Sequence, residues 1–352
     1  MRHTLTILTI AATASLLFAA CKNQKTMDNP FFSEWNTPYE IPDFQRIKPE
    51  HYMPAFREGM KQQKERIDNI ADNSEEPTFG NTVIPFEYSG ELLQEVSAVF
   101  FNLSECENSP EMEAIAEEVT PLLSAHEDDI ALNQKLFARI KAVYDQRESL
   151  GLNPEQMRLL EETYKGFVRG GANVPEAQQG RFRELNEQIA SLTLRFAQNV
   201  LKATNAYSKE LPDGSKVALD IPTWEPFMQT CPDRKLREEV WHAYADRCKD
   251  GEYDNTRIID SLVNMRLERA NILGFPTHAD WVLDNCLAKT PAAVYDCLNA
   301  IWVPALKVAK QERDIYQRML EKDEPGAKLQ PWDWRYYAER YRTEKYAIDD
   351  NE

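Results

Sequence analysis

Apolar residues recur every three or four positions along most of this chain, the spacing of one face of an α-helix. That spacing predicts a first helix from near Glu50, with Tyr52, Phe56, Met60, Ile67 and Ile70 on one side. After a loop over 72–79, a second helix carries Val83, Phe86, Gly90, Leu93, Ser97 and Phe100 or Phe101. Helices near 110–124 and 127–148 follow. Asn153-Pro154-Glu155-Gln156 is a strong helix start. Asn caps free N–H groups, Pro sits at the first helical position, and Gln can reach back. Gly170-Gly171 stops this helix. The clearest stripe runs from Pro175 to Ala206, with Phe182, Leu185, Ile189, Leu192, Phe196 and Val200 as core. Helices resume over 233–249 and 254–273, and a short one starts at His278 with Thr277 as its cap. A long one begins at Thr290-Pro291 and runs to about Leu320. Pro325-Gly326 breaks it, and a last helix covers 332–346.

One stretch alternates instead. Lys216 to Ile221 places Val217, Leu219 and Ile221 against Ala218 and Asp220, after the turn residues Pro212-Asp213-Gly214. It reads as at most one short strand or hairpin near 216–221. Asn29 to Pro49 is rich in proline and aromatic residues and reads as an extended segment packed on the surface of the body. The fold class is mainly α.

The first residues read as an address. Met1-Arg2-His3 is a short basic start, and Leu5 to Ala20 is apolar apart from Thr6, Thr9, Thr13 and Ser15. That is too short for a spanning helix of about 20 residues, and it fits a signal-peptide core. Leu17-Phe18-Ala19-Ala20-Cys21 resembles a bacterial lipobox, in which the cysteine thiol is lipid-modified and becomes the first residue. Cys21 is therefore the candidate lipidation site, and Lys22 to Asp28 the tether. Ordinary secretion with cleavage near Ala20 is the alternative.

Composition narrows the function. The 352 residues carry a net charge of −17, which argues against nucleic-acid binding, since that needs a basic face. Hydrophobic content of 42% excludes wholesale disorder. Beyond Cys21 the cysteines are Cys106, Cys231, Cys248, Cys286 and Cys297. They form no CxxC pair and read mostly as buried apolar residues. A pairing of Cys286 with Cys297 stays open.

The residues show no GxSxG, P-loop or GxGxxG, and no two histidines lie one turn apart. A zinc helix of the HExxH type needs two histidines on one face, with Glu beside the metal-bound water. His126-Glu127-Asp128-Asp129-Ile130 begins that way but has Ile130 in the second histidine's place, and reads as a solvated acidic face. Glu105, Glu107, Glu117 and Glu118 read the same way. His242 and Asp246, four apart, read as a surface pair.

Resemblance adds what chemistry does not. Phe31-Phe32-Ser33-Glu34-Trp35-Asn36-Thr37-Pro38-Tyr39, then His51-Tyr52-Met53-Pro54-Ala55-Phe56, resembles the opening of the bacterial peptidyl-dipeptidases. These belong to the thimet oligopeptidase family of zinc metallopeptidases. Asn81-Thr82-Val83-Ile84 and Ser89-Gly90 continue the likeness. So do Leu236-Arg237-Glu238 with Trp241, Tyr244 and Arg247, and Glu252-Tyr253-Asp254-Asn255. Ala288-Lys289-Thr290-Pro291, Trp302-Val303-Pro304-Ala305 and Pro331-Trp332-Asp333-Trp334 complete it. The resemblance covers nearly all of the mature chain. It implies a helical protein with two lobes flanking a channel that admits short peptides. It also implies one zinc held by an HExxH helix and a downstream Glu. That metal would lower the pKa of its water, and the HExxH Glu would take the proton. The family's zinc ligands and oxyanion groups match no residue here, so no catalytic and no metal residue is assigned in this chain. The family also carries a further segment after the long helix, where Ser208–Pro212 here leads almost at once to Lys216.

The expectation has four parts: a signal peptide over 1–20, a tether over 21–30, an N-terminal helical domain over 31–230, and the start of a peptidase catalytic domain over 231–352, cut before the zinc site. The chain reads as the N-terminal portion of an exported, lipid-anchored zinc metallopeptidase acting on short peptides. Its partners would be those peptides, a membrane through the anchor, and the missing C-terminal catalytic portion. Alone, it is expected to bind no zinc and to be inactive. The alternative, from another class, is a complete non-catalytic helical lipoprotein that binds peptides or a partner.

Overall fold

The computed structural model describes residues 29–346, and their fold is mainly α. The chain divides into two compact units, the first ending at Ser191 and the second beginning at Leu192. The division falls inside one long helix.

In the first unit, α1 (Pro49–Ala71) packs on α3 (Glu91–Cys106) and α4 (Pro110–Ala131). Gly59 permits the close approach of α1 and α3, because a Cβ there would lie 3.0 Å from the Leu93 backbone. Tyr52 and Phe56 of α1 meet Phe100 of α3 edge-on, at 5.0 and 5.4 Å between ring centres. Such pairs add to the area they bury. A second core joins Ile67 and Ile70 to Leu136, Phe137 and Ile140 of α5 (Gln134–Asp145) and Phe167 of α6 (Pro154–Gly170). The start of α6 follows the sequence: Asn153 and Gln156 exchange side-chain to backbone hydrogen bonds at 2.9 and 3.1 Å. Gly171 ends the helix with φ 109°, a left-handed value that favours glycine.

Several features differ from the spacing. The expected second helix is a π-helical turn over Phe79–Val83, then the one-turn α2 (Ile84–Glu87), then α3. Pro85 lacks an N–H, and Tyr88–Gly90 break the run. The expected break near 125 lies instead at 132–133, where Asn133 caps α5 by accepting from Leu136 N at 3.0 Å. The segment from Asn29 to Pro49 is only partly laid on the body. Phe31 is buried beside Tyr52, and Asn29 Nδ2 donates to His51 O at 2.8 Å, whereas Tyr39, Ile41 and Phe44 are exposed.

The long helix α7 (Glu176–Ala206) buries Phe182, Leu185 and Ile189. In the second unit β1 (Lys209–Glu210) pairs antiparallel with β2 (Lys216–Val217) in the expected hairpin, with Gly214 at φ 84° in its turn. The alternation ends sooner than expected, because Asp220 caps a helix, α8 (Ile221–Thr230), by accepting from Thr223 N at 3.0 Å. Two prolines, Pro222 and Pro226, lie within this helix. Pro222 falls in the first turn, where a missing N–H costs nothing. Helices α9 (Arg234–Ala245), α10 (Thr256–Ile272), α11 (His278–Leu283), α12 (Pro291–Asp323) and α13 (Pro331–Tyr346) follow. One core joins Val217, Leu219, Trp224, Met228 and Val240. Another joins Tyr316, Met319 and Leu320 of α12 to Tyr337 of α13.

Candidate functional site

Cys21, the candidate lipidation site, lies outside the described residues, as do the signal-peptide core and residues 22–28 of the tether. The other five cysteines are free. Cys106, Cys286 and Cys297 are exposed and Cys231 and Cys248 half-buried, which corrects the expectation of buried cysteines. Burial pushes the Cys231 and Cys248 thiols up, away from the thiolate that a nucleophile needs.

The half-motif at His126 does not form one solvated face. His126 Nε2 lies 2.8 Å from Gln63 Oε1. Asp128 turns inward, is 5% exposed, and accepts from Asn186 Nδ2 at 2.7 Å. Burial lifts its pKa from 3.8 to about 6, against the opposing pull of Asn186 and Arg183. Asp129 remains outside, paired with Arg183 at 2.8 Å. Glu105, Glu107, Glu117 and Glu118 are exposed as read. His242 and Asp246 form the surface pair that their spacing suggests, at 2.9 Å.

Among the described residues, no three His, Cys, Asp or Glu side chains gather as a metal would require. The four described histidines are dispersed: His51 Nδ1 accepts from its own helix start at Lys48 N, His126 meets Gln63, His242 meets Asp246, and His278 stacks on Trp281 with its buried Nδ1 making no hydrogen bond. A two-ligand pair on a helix surface does not make a tetrahedral zinc site. The donor set described here therefore does not fit the zinc that the resemblance implies.

The motif residues that carry the resemblance are brought together as structural nodes. Arg237 is fully buried. Its guanidinium donates to Cys231 O at 2.8 Å and to Asp333 Oδ1 at 2.9 Å, and stacks 4.2 Å above the Tyr336 ring. Arg234 donates to the same carboxylate at 2.9 Å. Burial opposes the charge on Asp333, but hydrogen bonds from Arg234, Gln330 N and Arg237 outweigh it and hold the carboxyl below its usual range. Asn255, also buried, donates to Phe196 O at 3.1 Å and accepts from Asn199 at 2.8 Å. Arg247 lies over Tyr244 and donates to Thr204 Oγ1 at 2.7 Å. Asn81 accepts from Arg139, whose guanidinium also donates to Asn73 O at 2.7 Å and Glu75 O at 2.9 Å. Sequence reasoning missed Arg139 and the inward turn of Asp128. Neither has a local signal, since both partners lie more than 50 residues away.

The comparisons with known proteins agree with the motifs. Residues 227–352 match Peptidase family M3. The chain is 36% identical to the dipeptidyl carboxypeptidase of Escherichia coli (strain K12), over 92% of this chain and 52% of that protein. It is 28% identical to the oligopeptidase A of the same organism, over 93% of this chain and 52% of that protein. Saccharolysin of Saccharomyces cerevisiae matches at 23% over 78% of this chain and 43% of that protein. The chain thus spans about half the length of the curated relatives it matches. Motifs and matches together show that this chain is related to the thimet oligopeptidase family, Peptidase family M3.

Proposed function

We propose that this chain is the N-terminal portion of an exported zinc metallopeptidase, a peptidyl-dipeptidase or oligopeptidase that hydrolyses short peptides. The observation that carries the reading is the match to a dipeptidyl carboxypeptidase over 92% of this chain but 52% of that enzyme. The family match over 227–352 supports placing the start of the catalytic domain near 231. The zinc ligands and the channel's second wall then belong to the portion not covered. The chain alone binds no catalytic zinc and is inactive, and Cys21 carries the lipid that holds the protein in the bacterial envelope.

The test begins with the gene read beyond codon 352, followed by purification of both the chain and any longer product. The longer product should hold one zinc and release C-terminal dipeptides from a blocked peptide, while the chain alone should do neither. Stoichiometric zinc with dipeptide release from the chain alone would refute its inactivity. A longer product without hydrolysis would refute the enzymatic reading. Lipid attachment is read by mass spectrometry of the N-terminal peptide. Cys21→Ser should abolish it, and an unlipidated native N-terminus would sink that part of the proposal.

A further inference from the structure

His278 opens α11 and is half-buried. Its ring stacks on that of Trp281, one turn on, at 5.5 Å between ring centres and 27° between planes. Its Nδ1 is buried and has no hydrogen-bond partner. The Trp281 ring also lies under the guanidinium of Arg269, from α10, at 4.7 Å. One indole thus joins the start of α11 to α10.

A neutral imidazole suits this place and an imidazolium does not. The neutral ring carries one N–H, so the buried Nδ1 can stay bare. Protonation puts an N–H on both nitrogens, and the one on Nδ1 would be a buried, charged donor with no acceptor. It would also add a cation beside two others. Burial, then Arg269 and Arg266 of α10, hold the imidazole below its usual pKa of 6.5. The acids nearest in sequence are Glu268, Asp280 and Asp284, and none of them offsets the two arginines at the ring. Asp280 is turned to Thr277, accepting from its Oγ1 at 2.6 Å. Helix α12, also packed on α11, brings no charge to the ring among the described residues. The Trp281 face attracts cations, but Arg269 already lies over it. His126, also held low by burial, differs in that its Nε2 has Gln63 as a partner.

We infer that His278 is an acid-operated latch between α10 and α11: a proton on its imidazole drives the ring off Trp281 and opens the turn over 274–283. The opened segment takes up that proton near pH 6.5 and the closed one only at lower pH, so acid favours the open form. The segment is short and tied by few bonds. Phe275 N donates to Ala270 O at 2.9 Å, and Trp281 N to Thr277 O at 3.2 Å. Local opening of such a piece costs far less than global unfolding. Since α11 links α10 to α12 in sequence, its opening loosens the join between those two helices.

The test is hydrogen–deuterium exchange of the chain at pH 7.5 and pH 5, read by mass spectrometry and corrected for the intrinsic exchange rate. The peptide over 274–283 should lose protection about tenfold at pH 5, relative to the peptide over 256–265 of α10. His278→Gln, neutral at both values, should remove that loss. A magnetic-resonance titration of the histidine rings should place His278 below its usual value. Arg266→Gln should raise it and move the midpoint of opening to higher pH. Equal protection of 274–283 at both pH values would overturn the inference. So would acid opening that persists in His278→Gln, which would assign the response to another group. If His278→Gln does not fold, Arg266→Gln decides: a midpoint that rises with the His278 titration supports the latch, and an unmoved midpoint overturns it.

Discussion

The replacement Asp128→Asn should stabilise the first unit at neutral pH. Asp128 is buried, and its charged form meets one strong donor, Asn186 Nδ2 at 2.7 Å, with Arg183 committed to Asp129. Burial therefore raises its pKa from 3.8 to about 6. An acid whose pKa is raised on folding binds more protons folded than unfolded between those two values. Stability is then highest below about pH 4 and falls as pH rises through about 6. The loss at pH 8 is on the order of 3 kcal/mol, since each pKa unit is about 1.4 kcal/mol. An asparagine keeps the carbonyl that accepts from Asn186 and carries no charge. Thermal unfolding of wild type and variant at pH 8 and pH 4 checks this. The variant should melt several degrees higher at pH 8, at about 2–4 °C per kcal/mol for a unit of this size, and the gap should close at pH 4. A variant less stable by the same amount at both pH values would show that the carboxylate is needed for its hydrogen bond and that burial does not penalise its charge.

Three other outcomes follow from the same structure. Asp333→Ala should cost about 3–5 kcal/mol in urea unfolding, because Arg237 would be left as a buried, uncompensated charge. The wild-type contribution of Asp333 is present above pH 3.8 and should fade as pH falls through its lowered folded pKa. Gly59→Ala should destabilise by about 1–3 kcal/mol, since its Cβ would press on the Leu93 backbone, whereas Gly166→Ala, in an exposed helical position with nothing within 4 Å, should stabilise by up to about 1 kcal/mol. Asn153→Ala should cost about 1 kcal/mol through the lost cap of α6. Equal effects for the two glycines, or a neutral Asn153 change, would contradict the packing and capping described.

Local signals made most helices legible. Asn153, Gly171, Thr277 and Thr290 each close or open a helix through groups within four residues, so sequence carries them. Helix α8 was not legible because Pro226 falls in its interior, where the missing N–H opposes a helix. It forms because Asp220 caps it and because Trp224 and Met228 bury into the core beside Val240. That is tertiary packing overriding propensity. The acidic run at His126 was misread for the same kind of reason. Nothing within it tells which of Glu127, Asp128 and Asp129 faces Asn186, because the partner arrives from a helix 58 residues on.

The residues by which the family is recognised here are those that hold backbone in place. Arg237 and Asn255 are buried, Arg237 donating to Cys231 O at the end of α8 and Asn255 to Phe196 O within α7, and Arg139, beside Asn81, donates to carbonyl oxygens of the loop before α2. A buried polar group that serves several backbone acceptors tolerates few replacements, because losing it strands all of them at once. Such residues mark a fold without marking its chemistry. The two readings of this chain therefore rest on different parts of it. Kinship stands on the buried arginines and asparagines. Catalysis depends on donors that the described residues do not assemble.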